Sequence, residues 1–375
     1  MKISVLREAN LPQPYAESRP LQLEEVADVM PRRGEIAVRI AYSSLCHSDL
    51  SVVNGSRIRP LPMALGHEAV GWVTEVGDGV DDLVIGDHVV LVYVPSCGRC
   101  ATCLSGRPAL CPQAAAANGT GDLLHGEALL RGSDGERINH HLGVSAFADR
   151  AVVARESVVP ISSDIPDEVA AMFGCAVLTG VGAITNTAQV TAGQSVAVFG
   201  LGAVGLAAVM GAALVGAGPI FAIDPIEAKR ELALKAGATH VIAPDGLDAL
   251  LRELKLTGVD IAVEAVGSAR VIEAALAVID RGGAVVTVGL PHPEQTLTVR
   301  ALQFAGEGKR LLGSYMGDAV PARDIPRFLE DWRAGRLPIE LLHTDTRPLD
   351  DLNESLDALH SGQVVRRLFS ARRYE

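Results

Sequence analysis

The rhythm of apolar positions changes partway along the chain. From Met1 to about Ala176, short apolar stretches such as EIAVRIAYSS (35–44), VGWVTEVG (70–77) and GDHVVLV (86–92) alternate with Gly and Pro breaks. That texture predicts a β-rich domain. From about Val177, strand-like segments alternate with helical ones: SVAVFG, a helix over 203–217, PIFAID, a helix over 225–236, THVI, a helix over 245–255, VDIAVEAV, a helix over 268–280, and GAVVTVGL. The alternation predicts a parallel, doubly wound sheet and an α/β fold. After about Ser314 come two amphipathic helices, over 321–334 and 349–360, and then the strand-like VVRRLFSARR.

One apolar run competes with this picture, because Val196 to Ile223 holds 28 residues without a charged side chain, long enough to cross a bilayer. Six glycines and Pro219 divide it into a strand, a helix and a second strand, so no membrane span is expected. At 375 residues, with 48% hydrophobic and 21% charged residues, the chain suits two packed domains. Acidic residues outnumber basic ones 45 to 33, giving a net charge of -12, and no basic block is interleaved with aromatics. Nucleic acid is thereby excluded as an expected partner. The N-terminal stretch carries charges throughout and no signal-peptide core, so the expected location is cytoplasmic.

The first chemical motif is GLGAVG, whose Gly200, Gly202 and Gly205 stand between a predicted strand and a predicted helix. In that setting the glycines serve a tight turn, a close backbone approach to a pyrophosphate and tight helix–sheet packing. Asp224 ends the next strand, where a carboxylate accepts from an adenosine ribose 2′-hydroxyl and repels a 2′-phosphate. NAD is therefore expected over NADP, with Arg230 nearby to soften the preference.

Four of the six cysteines, Cys97, Cys100, Cys103 and Cys111, fall in the stretch CGRCATCLSGRPALC. Disulfides need an oxidising compartment, and a redox pair needs one CxxC at a helix start. A closed tetrahedral zinc site fits the two-residue gaps better. Cys46, in SSLCHSDL, and Cys175, in MFGCAVLTG, flank LGHEAVG with His67 and Glu68. Two sulfurs and one imidazole with an open fourth position are one recipe for catalytic zinc, whereas a lone buried Cys also serves as a small hydrophobe. Spacing alone leaves both readings open.

The motifs CHSD (46–49), GHE (66–68), GDHV (86–89), the cysteine lobe, GC…TG (174–180), GLGAVG and the distal Asp224, taken in this order, resemble the zinc-dependent alcohol dehydrogenases of the medium-chain dehydrogenase/reductase superfamily. The resemblance runs over essentially the whole chain. It implies a GroES-like catalytic domain over 1–176 with a structural zinc lobe at 95–112, a Rossmann NAD-binding domain over 177–314, and a return to the catalytic domain over 315–375. By the same resemblance Cys46, His67 and Cys175 hold the catalytic zinc, and the lobe holds a second ion. Ser48 resembles the hydroxyl that takes the alcohol proton. Asp49 is expected to orient His67, with Glu68 near the metal as a further carboxylate. His47 and Arg366 are expected at the cofactor pyrophosphate, Lys229 at the adenosine ribose, and Thr179 and Val204 at the nicotinamide. Tyr93, Leu290 and Met316 are expected to line an apolar substrate pocket.

The implied activity is oxidation of a primary aliphatic, benzylic or terpenoid alcohol, or reduction of its aldehyde, by a homodimer or homotetramer. Ser51 stands where many relatives end the proton relay with a histidine. A glutathione-dependent formaldehyde dehydrogenase is the alternative; its expected arginine is missing from PQAAAANGTGD, although Arg57 and Arg59 offer charge for an anionic group. A non-catalytic NAD-binding zinc protein is the alternative from another class. The adjacent His140 and His141 point apart and read as loop residues. His88 and the Asp81–Asp82 pair read as turn and solvated surface.

Overall fold

The computed structural model describes Met1–Ala371. Two compact units divide the chain. The first comprises Met1–Cys175, Val320–Pro326 and the chain from His343 onward, and the second Ala176–Ala319 with Arg327–Leu342. The segment 315–375, expected to return whole to the first unit, is thus split, and its helix Pro321–Arg333 runs across the division.

The first unit is built on a seven-stranded sheet. Its order is His343–Pro348, Arg366–Ser370, Glu35–Ser44, Ala69–Val76, His88–Leu91 and Val158–Ile161, with Arg150–Ala154 pairing to Glu35–Ser44 off this path. The apolar residues of Glu35–Ser44 bury nearly the whole strand, and Ile36, Val38, Ile40, Val73, Val89 and Leu91 form one continuous cluster. A four-stranded sheet, Leu21–Glu25, Lys2–Leu6, Met63–Ala64 and Asn139–His140, completes the unit.

His88 corrects its reading as a turn residue. It opens a strand directly opposite Trp72, stacks on that indole at 4.2 Å, and places Nε2 2.9 Å from Asp167 Oδ1. The indole face and the carboxylate together make burial of an imidazole tolerable. Asp82, expected as solvated surface, does stay exposed and pairs with Arg155.

In the second unit all six strands are parallel. Numbered by sequence within the unit, they are Val196–Phe199, Ile220–Ile223, His240–Ile242, Val259–Glu264, Ile279–Thr287 and Arg310–Gly313. Their spatial order is 3-2-1-4-5-6, the doubly wound arrangement whose reversal between strands 1 and 4 leaves a crevice at the carboxyl ends. The apolar run 196–223 resolves into strand, helix (Ala203–Leu214) and strand. A different helical run, Asp167–Ala188, is apolar and long enough to cross a membrane, and 89% of its most apolar window is buried within the protein. Burial on that scale identifies a core helix.

His140 is 1% exposed, and neither ring nitrogen finds a hydrogen-bond partner among the described residues. Burial, helped by the charges of Arg32 and Arg137, pushes its pKa down to about 4. The unfolded chain binds this proton first, near the ordinary value of about 6.5. Stability is therefore intact above that pH and declines as pH falls toward 4, by up to about 3 kcal/mol. Replacing His140→Phe removes this contribution. Urea midpoints measured from pH 7 to 4.5 should fall less steeply in the variant than in the parent; parallel declines contradict the assignment.

Candidate active site and metal centres

Three chain segments deliver the Cys46, His67 and Cys175 ligand atoms to one point. Cys46 caps the helix His47–Val53 immediately after the strand Glu35–Ser44. The Asp49 N–H donates to the Cys46 carbonyl at 3.0 Å, while the Asp49 carboxylate accepts the Cys46 N–H at 3.1 Å. His67 follows Gly66, whose φ of +92° admits the turn between Met63–Ala64 and Ala69–Val76. Cys175 sits on a π-helical turn, Phe173–Val177. Gly174 lets that turn approach the strand His88–Leu91 so closely that a Cβ there would lie 2.0 Å from the Leu91 carbonyl oxygen. All three ligand atoms lie within 4.8 Å of one another, and all three residues are buried.

The surroundings suit this set to a cation. Asp49 Oδ1 lies 3.1 Å from His67 Nδ1 and accepts the Gly66 N–H at 3.3 Å, so Nδ1 carries the proton and Nε2 is left as the ligand atom. Burial alone would raise the Asp49 pKa, yet the facing His67 and His141 imidazoles hold it well below the usual carboxylate range. The hydrogen bond from Cys175, with the charge of Arg366, holds the Cys46 thiol well below its ordinary value. Cys175 is pushed up by that same bond and by burial. One thiolate is thus favoured over two, and a divalent ion removes the conflict by taking both sulfurs deprotonated.

Arg366 is 3% exposed. Its guanidinium donates to Cys46 Sγ at 3.3 Å and to the Leu45 carbonyl at 3.2 Å, and its Nε lies 3.0 Å from Glu68 Oε2. Tyr93 sets its ring edge-on to His67 at 5.6 Å. Ser48 and Ser51 are half-buried and His47 is exposed on the same helix; the Ser51 hydroxyl donates to the His47 carbonyl at 2.9 Å.

The second cysteine group folds on itself. Cys100 and Cys103 lie one helical turn apart in the lobe, and Pro108–Leu110 turns the chain back to bring in Cys111. The sulfurs of Cys97 and Cys103 are 4.0 Å apart and those of Cys100 and Cys103 3.5 Å. Four thiolates on zinc at about 2.3 Å form a tetrahedron with an edge of about 3.8 Å. The lobe fits a closed zinc site. Its thiols are unlike: backbone N–H of Arg99 lowers Cys97 to about 6, and burial raises Cys103 to about 12.

Within the second unit, Gly200 takes φ +89° and a Cβ on Gly205 would lie 1.8 Å from the Gly200 oxygen, so strand and helix meet too closely for side chains. Gly202 has open space where its Cβ would stand, as a backbone edge that receives a pyrophosphate requires. Asp224 accepts the Leu201 and Ile226 N–H groups, one on each oxygen, at 2.8 and 2.9 Å. Arg230 donates to the Asp224 and Pro225 carbonyl oxygens. Thr179 Oγ1 is buried and has no hydrogen-bond partner among the described residues. Val204 and Lys229 are half-buried, Leu290 is exposed, and Met316 is buried.

Two residues escaped the sequence reading. Glu264, wholly buried, accepts the Val266 and Gly267 N–H groups and the Thr287 hydroxyl, fixing the loop after the fourth strand. Its signal was a carboxylate at the end of the apolar run Ile261–Val263. His141, read as a loop residue, is buried with Nδ1 3.2 Å from Asp49 Oδ1.

Residues 32–163 match the family model described as the alcohol dehydrogenase GroES-like domain, and residues 203–332 the one described as zinc-binding dehydrogenase. The S-(hydroxymethyl)glutathione dehydrogenase of Haemophilus influenzae is 37% identical over 359 residues, 94% of each chain. An alcohol dehydrogenase zinc-binding domain protein from Burkholderia ambifaria shares 33% identity at a TM-score of 0.91, covering 98% of both chains. Benzyl alcohol dehydrogenase from Acinetobacter calcoaceticus shares 29% at 0.89, again over 98% of both. Fold and site together define a zinc- and nicotinamide-dependent oxidoreductase. The chain belongs to the zinc-dependent alcohol dehydrogenases of the medium-chain dehydrogenase/reductase superfamily.

Removing one ligand from each group separates the two centres. Cys46→Ala should fold, keep the lobe ion and lose turnover; Cys103→Ala should lose the lobe ion and unfold at lower temperature. Zinc content by atomic emission, alongside thermal melts, checks both. Full zinc content in Cys46→Ala contradicts the assignment.

Proposed function

We propose that this enzyme oxidises primary alcohols carrying an apolar group, benzylic or terpenoid ones foremost, with NAD as acceptor. The supporting observation is the buried Tyr93 ring, perpendicular to the His67 imidazole at 5.6 Å, which puts an aromatic surface beside the metal set. Cys46, His67 and Cys175 would hold a zinc ion, which would supply Lewis acidity toward an alcohol oxygen, and the glycine turn and Asp224 of the second unit would hold NAD, which would supply the hydride acceptor.

The chain's own groups do the rest. Ser48, two residues from Cys46, receives the hydroxyl proton and passes it outward. Because Ser51 already donates to the His47 carbonyl and has no imidazole, the exposed His47 or water completes the exit. Asp49 keeps His67 in the tautomer that offers Nε2. Arg366, beside Cys46 and Glu68, balances the negative charge of the ligands. Asp224 at the end of the second strand favours NAD, since its charge opposes a 2′-phosphate.

The curated relatives support a second reading, a thiol adduct of formaldehyde as substrate. Against it, the helix after the lobe, Pro112–Thr120, reads PQAAAANGT and offers no cation to a glutathione carboxylate. Arg57 and Arg59, both half-buried, are the groups that would serve instead. Location in the cytoplasm, where thiols stay reduced for metal, accords with six free cysteines. A homodimer or homotetramer is the expected assembly, which light scattering measures.

NADH formation with benzyl alcohol, geraniol, hexanol and glutathione plus formaldehyde separates these readings. The proposal requires kcat/KM to be highest for the aromatic and terpenoid alcohols, and dominance of the glutathione adduct overturns it. Ser48→Ala should lower kcat by about 10²- to 10⁴-fold with zinc content unchanged. Asp224→Asn keeps an acceptor and loses the charge, so the NAD over NADP preference should fall by about tenfold; an unchanged ratio refutes that role.

A further inference from the structure

Asp49 has no solvent exposure, and its two oxygens are heavily used. Oδ2 accepts the Cys46 N–H, while Oδ1 accepts the Gly66 N–H and faces His67 Nδ1. A second imidazole approaches the same atom. His141 places Nδ1 3.2 Å from Oδ1, and the two rings meet edge-on at 5.3 Å and 87°.

His141 is anchored to the segment that carries His67. The His141 N–H lies 3.1 Å from the Ala64 carbonyl and 3.0 Å from Ser145 Oγ, and Ser145 Oγ donates to that same carbonyl at 2.8 Å. The left-handed backbone of Leu142 and Ser145 turns the loop tightly enough to make these contacts. The loop carrying His141 is thus tied to the segment that leads into His67, and both imidazoles converge on one carboxylate.

The His141 ring is 1% exposed, and Nδ1 is the ring nitrogen that faces Asp49 Oδ1. Nδ1 is sealed from solvent without an aligned partner among the described residues. An unpaired buried donor costs about 1–3 kcal/mol, and the acceptor within reach is Asp49.

Resting on the zinc reading of the site, we propose that His141 is a positioning residue for His67. Its Nδ1–H pairs with Asp49 Oδ1, fixing the carboxylate that in turn fixes the ring plane of the zinc ligand. Without it, Asp49 keeps its backbone donors yet gains room to rotate, and the His67 ring loses a fixed partner. The effect falls on retention of the catalytic ion. Partners of this kind typically change metal affinity by about 10- to 100-fold.

The test is zinc release from holoprotein into excess 4-(2-pyridylazo)resorcinol, followed by absorbance, for the parent, His141→Phe and His141→Asn. Phe keeps an aromatic ring and lacks the donor; the Asn side-chain amide stands where Nδ1 stood. The ion held by Cys46, His67 and Cys175 should leave His141→Phe about tenfold or more faster than the parent, with the lobe ion unaffected and the Asn variant close to the parent. Should the Phe chain not fold, His141→Met carries the same comparison. Parent-like release from the donor-free variant overturns the proposal, as does equal acceleration in both variants, which would mark a packing role. A parent that holds a single ion overturns instead the zinc reading beneath it.

Discussion

A fully buried carboxylate organises the first unit's chemistry. Asp49 lies where the end of Glu35–Ser44 and the start of Ala69–Val76 come together, and it accepts backbone N–H groups from both neighbourhoods, Cys46 on one side and Gly66 on the other. A charge at zero exposure is tolerable only when every lone pair has a donor. That requirement ties two ligand-bearing turns to each other and sets the tautomer of His67. Remove the charge, and two backbone amides lose their acceptor together with the imidazole.

Around it the buried charges nearly cancel by contact. Arg366 reaches Cys46 and Glu68 from the strand Arg366–Ser370, which pairs with the strand that ends at Ser44. A guanidinium suits this place because it cannot give up its proton and its planar fork serves sulfur, carbonyl and carboxylate at once. A divalent ion would neutralise the two thiolates and Arg366 pairs with Glu68, while Asp49, facing a neutral imidazole, is held by N–H donors rather than by a counter-charge. The lobe obeys a different logic: its four sulfurs consume all tetrahedral positions, leaving stability as its contribution.

Much of this was legible in the sequence for a definable reason. Strands such as 196–199 and 220–223 announce themselves because burial on both faces demands unbroken apolar runs, and GLGAVG is readable because its glycines answer backbone crowding within a few residues. The candidate ligands Cys46, His67 and Cys175 carry no such local signal; order along the chain made them recognisable through resemblance, and the fold brings their ligand atoms within 4.8 Å of one another. His88 and His141 were misjudged because one polar residue in an apolar strand, or in a loop, says nothing about what stands opposite. Trp72 and Asp167 explain the first and Asp49 the second, and all three are distant in sequence. Glu264 was passed over on the same grounds, its partners being loop amides whose placement only the folded chain defines.

The central claim is that Cys46, His67 and Cys175 share one zinc ion distinct from that of the lobe. Anomalous diffraction at the zinc absorption edge from crystals of the purified holoprotein tests it directly. Two peaks per chain are predicted, one amid the four lobe sulfurs and one bounded by the sulfurs of Cys46 and Cys175 and by Nε2 of His67. A peak at the lobe alone, or a second one remote from those three side chains, contradicts the account.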